Sequence, residues 1–133
     1  MIAFSLWSLY FADEPHLGEM TLTRALLWGY GHIGVFAAAA LVGGGMRVMA
    51  GSDGRESGAV LLIGLSAATF VATLWMIRDG FCLQGRARLI LPICVAALIA
   101  ACWVPVLALE LIAAILVLTA IARRRASQHH ATV

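Results

Sequence analysis

Between Glu56 and Arg78 the chain runs for 21 residues without one charged side chain, and no other feature limits its folding so tightly. A helix rising ~1.5 Å per residue needs about 20 apolar residues to cross a hydrocarbon core of ~30 Å, so this run has the length of a membrane span. The rest of the chain obeys the same constraint. Of 133 residues, 62% are apolar and 12% charged, whereas soluble domains average roughly 45–50% and about 25%. A domain this small leaves much of its surface exposed and needs many charges to cover it. All nine basic residues are arginine, the formal charge is +2, and no basic run is interleaved with aromatics, which argues against nucleic-acid binding.

Five apolar segments can be marked, at 1–11, 24–49, 58–77, 89–104 and 106–122. They predict an all-α fold: a polytopic transmembrane helical bundle of about four full membrane helices plus a short N-terminal apolar segment. The bundle forms a single domain over 1–122, and a polar cytoplasmic tail follows at 123–133. The first segment is too short to cross alone and lacks the positive leader and cleavage site of a secretory signal. It is therefore read as an interfacial segment or as the end of a helix that begins upstream.

The stretch 89–122 would make a straight helix of roughly 50 Å, beyond what ordinary tilt absorbs. Pro105 stands in its middle, without an amide hydrogen and unfavourable to helical geometry before it, so a helical hairpin turning near 103–105 is expected. Arginine placement favours the same choice, because short cytoplasmic loops are enriched in basic residues. With the hairpin, Arg24, Arg78, Arg86, Arg88 and the arginines at 123–125 share one side, against Arg47 and Arg55 on the other. A single kinked span would divide them five to four. The hairpin puts the tail in the cytoplasm and Met1 outside.

The linkers at 12–23, 50–57 and 78–88 are too brief for a soluble domain. Cys82, Cys94 and Cys102 form no CxxC pair and imply neither a metal nor a disulfide framework. His129 and His130 on a loose polar terminus are read as bystanders. Arg47, Arg78 and Asp79, with Trp7, Tyr10, Trp75 and Trp103, are read as interface anchors.

Two ionisable residues fall inside apolar segments. His32 lies about 12 Å along its helix from Arg24, and histidine is the side chain whose charge changes nearest neutral pH. It either stays neutral, bonded to a carbonyl or hydroxyl, or takes part in proton or substrate movement. At 100° per residue, Ala25, Gly29, His32, Phe36, Ala39 and Gly43 share one face. Its small members, Ala25, Gly29, Ala39 and Gly43, are predicted to pack against another helix, since close approach supplies the attraction that lipid tails do not. Glu110 shares a face with Ala113, Ala114, Val117 and Ile121, small neighbours that suggest a protein-facing side. Being just past Pro105, it also has the choice of snorkelling to headgroups. Ser66, Thr69 and Thr73 share a face of the third segment, and such hydroxyls usually bond back to the carbonyl four residues earlier. No GxSxG, HExxH, GxxxxGK or strand-borne GxGxxG occurs. Neither catalysis nor a cofactor is expected.

Two strings, LWSLYFADEP at 6–15 and LWGYGHIGVFAAAALVGGGM at 27–46, resemble the C-terminal part of the low-temperature-requirement A family of bacterial membrane proteins. In that family a tryptophan-rich segment precedes a WGYGH helix. The motif residues carried over are Trp28, Gly29, Tyr30, Gly31, His32, Tyr10 and Asp13. Ser8 stands where the family pattern has a second tryptophan, and Ala12 separates Phe11 from Asp13. The resemblance implies a multi-pass bacterial inner-membrane protein, normally far longer than this chain, which would then be its last third. Either the start is internal, or this is a shortened relative that assembles with itself or another chain. Two functions follow as expectations. One is a proton-responsive transporter, or part of one, using His32 with Glu110 or Asp13. The other is a structural or accessory protein that packs with partner helices. The expected partners are the lipid bilayer and a second copy or companion helices.

Overall fold

The structure is a computed structural model that describes residues 1–11, 21–51, 57–79, 88–104 and 107–130, the last four as backbone. Its described residues form helices without strands. They are α1 (Ile2–Tyr10), α2 (Leu22–Gly51), α3 (Ser57–Leu74), α4 (Ile90–Ala101) and α5 (Ala108–His130). A π-helical turn, Trp75–Asp79, prolongs α3. Two helices are long and apolar enough to cross a membrane: α2, and α3 together with its π turn. In hydrocarbon every backbone amide and carbonyl must be satisfied within the segment, which a helix alone does without a neighbour. Pro92 is tolerated because it falls in the first turn of α4, where the missing amide hydrogen has no intrahelical partner to lose.

α3 is the central element, against which α2, α4, α5 and α1 all pack. α2 runs antiparallel to it, and glycines let the two backbones approach. A methyl group added at Gly45 would come within 2.6 Å of Ile63 Cγ1, one at Gly34 within 3.1 Å of Thr73 Cγ2, and one at Gly31 would collide with Ile77. On the opposite side, Gly64 gives way to Cys102 and Ile112. α4 and α5 are antiparallel neighbours, with Cys94 set against Thr119. Each buries a single stripe: Leu91, Cys94, Leu98 and Ala101 on α4, and Ala108, Ile112, Leu116, Thr119 and Arg123 on α5.

The expected break between α4 and α5 is present. Amides of Cys102, Trp103 and Val104 bond to carbonyls three residues back, at 3.1–3.2 Å, so the end of α4 tightens before the chain turns. Pro105 itself lies outside the described residues, as do Cys82, Arg55 and Arg86. The tail, expected to be loose from residue 123 on, instead continues α5 as far as His130. Side chains of His129 and His130 are outside the described set.

α1 leans on α5 and α3 and meets α2 through a ring contact between Tyr10 and His32. All the described arginines except Arg47 gather at one end of the bundle, with the C-termini of α1, α3 and α5 and the N-termini of α2 and α4. Arg47 and Glu110 mark the other end.

Candidate functional site

At the arginine end, Asp79 is 1% exposed, Arg123 4% and Arg78 7%. Arg123 holds the carboxylate by two parallel bonds, Nη1 to Oδ2 at 2.6 Å and Nη2 to Oδ1 at 2.8 Å, the bidentate geometry that suits a planar guanidinium. Arg78 Nε donates to Oδ1 at 2.9 Å, while its Nη1 and Nη2 donate to the carbonyls of Tyr10 and Leu9 at 2.9 and 3.0 Å. Those carbonyls close α1, where helical carbonyls lack an internal partner and the dipole favours a cation. Arg124 adds a bond from Nη2 to Ser8 Oγ at 3.0 Å. One carboxylate thus ties α3 to α5, and one arginine ties both to α1.

Ile77, Arg78 and Asp79 are buried in succession, as Ser66, Ala67 and Ala68 are further back on the same helix, because α3 is the central element and is covered on several sides. The interface-anchor reading of Arg78 and Asp79 is therefore corrected. They are interior groups, because α1 and α5 close over this end of α3.

His32 is half-exposed near the middle of α2. Its Nδ1 hydrogen-bonds the Trp28 carbonyl at 2.5 Å. The carbonyl can only accept, so the proton sits on Nδ1 and leaves Nε2 as the basic nitrogen. Aromatic rings surround it: Trp28 at 4.4 Å between centroids, Tyr10 edge-on at 5.9 Å and Phe36 at 6.2 Å. The carbonyl bond is the one expected for a neutral histidine, made within its own helix rather than across an interface. Thr69 and Thr73 likewise donate to carbonyls four residues earlier, both at 2.8 Å, as expected.

Glu110 is exposed in the first turn of α5. The interior face of that helix is the stripe from Ala108 to Arg123, so the small neighbours of Glu110 do not mark a protein-facing side within this chain. Nor does Glu110 meet His32. Helix α3 carries Ile77 beside Gly31 and Gly64 beside Ile112, which places the two residues on levels about 21 Å apart along the bundle. Asp13 lies outside the described residues.

Of the motif residues, Trp28, Gly29 and Tyr30 are exposed, Gly31 packs on Ile77, and Tyr10 touches His32. The stripe of Ala25, Gly29, Ala39 and Gly43 is not what α3 covers. That face belongs to Gly31, Gly34, Val35, Ala38, Val42 and Gly45, roughly a third of a turn away at 100° per residue. Ala39 and Gly43 instead line an apolar groove of about 420 Å³ between α1 and α2, with Trp7, Phe11, Phe36 and Met46. Among the described residues, no three His, Cys, Asp or Glu side chains come together as a metal-ligand set.

The fold and these sites define an all-helical protein with membrane-length helices, locked at one end by a buried ion cluster. The chain belongs to the bacterial low temperature requirement A (LtrA) family, whose match spans residues 1–122 and takes in both resemblance strings. No curated relative and no solved structure matches it.

Proposed function

We propose that this chain is a multi-pass protein of the bacterial inner membrane, its C-terminal tail cytoplasmic, and that it works as a proton-responsive, non-catalytic transport unit with His32 as the titrating group. The observation that carries this is the geometry of His32. With Nδ1 committed to the Trp28 carbonyl, Nε2 can take a proton without breaking that bond, and the resulting cation lies beside the rings of Trp28, Tyr10 and Phe36. Tyr10 is the titratable group facing it from α1, so protonation acts where α1 meets α2. The gathering of arginines at the end that carries the tail supports the orientation.

The test is reconstitution of the full chain in vesicles with an imposed pH gradient. Proton flux should depend on pH, and Trp28 fluorescence should change with pH in parallel, since its ring lies against the imidazole. His32→Gln should abolish both while leaving the protein inserted. An unchanged flux and fluorescence profile in that variant overturns the proposal.

A second reading, an accessory subunit that packs with companion helices or a second copy, is favoured by one observation. A Cβ at Gly29 or Gly44 meets nothing within 4 Å among the described residues, and Ala40 between them is exposed, leaving room for close helix approach. Gly44→Ile should then dissociate the assembly on a sizing column, whereas His32→Gln should leave it intact.

A further inference from the structure

The groove between α1 and α2 has a length and a lining that bear on what fills it. Arg24 and Arg47 stand 23 residues apart on α2, about 35 Å at ~1.5 Å per residue, so the two guanidiniums reach opposite interfaces of a ~30 Å hydrocarbon core. Val35 falls midway. The α2 lining of the groove runs from Val35 to Met46, a length of about 16 Å, which matches the depth of one leaflet, about 15 Å. Along that ~16 Å, Trp7, Phe11 and Phe36 flank an open apolar groove of about 420 Å³. A single polymethylene chain, whose carbons pack at ~3.5–4.0 Å from their neighbours, fits.

The lining agrees with that occupant. Trp7, Phe11, Phe36, Ala39 and Met46 present carbon, and Gly43 leaves its side of the groove open, since a Cβ there meets nothing within 4 Å among the described residues. One residue past Met46, the last of the α2 lining, Arg47 is exposed, a cation at headgroup depth suited to a phosphate. We propose that this groove is a binding site for one acyl chain of a membrane phospholipid from the leaflet on the Arg47 side, with its phosphate against Arg47 and its tail directed toward His32. The proposal rests on the membrane reading above but not on transport.

It is tested with the full chain in vesicles of phosphatidylethanolamine and phosphatidylglycerol that include a phosphatidylglycerol with a diazirine in its acyl chain. After photolysis, adducts are mapped by mass spectrometry. Adducts on Trp7, Phe36 and Met46 should exceed those on Leu41, which lies at the same depth on the outer face of α2 and is 51% exposed. Ala39→Trp, or Gly43→Leu where the first does not insert, should lower groove adducts roughly tenfold, as expected when a binding mode is blocked at a cost of about 1.4 kcal/mol, and leave Leu41 labelling unchanged. Arg47→Gln should lower groove adducts alone. Groove labelling no higher than at Leu41, or insensitive to both filling variants, overturns the proposal. A groove without adducts beside a labelled Leu41 also overturns it, in favour of another polypeptide there. Absence of adducts from α2 and α3 altogether overturns the membrane reading and this inference with it.

Discussion

Asp79 lies where the C-termini of α1 and α3 meet α5, with two guanidiniums on one carboxylate and almost no solvent. Such a cluster adds little net stability relative to well-packed apolar groups, but removing one partner is expensive because the remaining charges stay buried. Asp79→Asn should therefore lower stability by about 3–5 kcal/mol, read as a fall in the thermal midpoint in detergent. Proteolysis at the α1 junction should rise at the same time, since Arg78 would lose the carboxylate that aims it at the Leu9 and Tyr10 carbonyls. Replacing Asp79 by Leu together with Arg123 by Met should recover much of the loss. At this scale the sequence marks the residue types but not their roles. His32 stands out as an ionisable group inside an apolar run, and its bond to a carbonyl follows from the cost of leaving it unsatisfied. Arg78 and Asp79 look like ordinary helix-end charges because the sequence does not show that α1 and α5 close over the end of α3.

Helix α2 shows what periodicity can and cannot decide. Its length and hydropathy make it a membrane-length helix, as they do for α3, and both are found. Which side packs is another matter, because four alanines at 37–40 and three glycines at 43–45 make every face of α2 look small. The choice is settled by the partner: Ile63, Thr73 and Ile77 on α3 need space where Gly45, Gly34 and Gly31 provide it. Gly45→Leu should consequently destabilise the protein by about 1–3 kcal/mol through overpacking against Ile63 and the Ala59 carbonyl. Gly29→Leu, on the open face, should stay within about 0.5 kcal/mol of the parent. Equal midpoints for the two variants in the same detergent would mean that α2 does not meet α3 through these glycines.

For the whole molecule, the order of the helices decides which chain ends can meet. A helical hairpin from 89 to 122 returns the chain to the end where α3 finishes, whereas one continuous span would leave Arg123 a bundle's length from Asp79. The 2.6 Å bond between them is a geometric counterpart of the arginine count read from the sequence, and it depends on neither loop charge nor hydropathy. Loop charge still sets the direction of insertion, since arginines near span ends are retained on the cytoplasmic side. Topology reporters fused at residue 133 and inserted at 82–84 should therefore report the cytoplasm, and one inserted at 53–54 the outside. Reversing the bias, by replacing Arg124 and Arg125 with Ala and adding three arginines at 53–54, should invert or mix the population while sparing the Arg123–Asp79 bond. Cysteines at 79 and 123, with the native cysteines replaced, should still crosslink in either orientation. Reporters at 83 and 133 on opposite faces would break the hairpin, the shared arginine end and the ion cluster in one result.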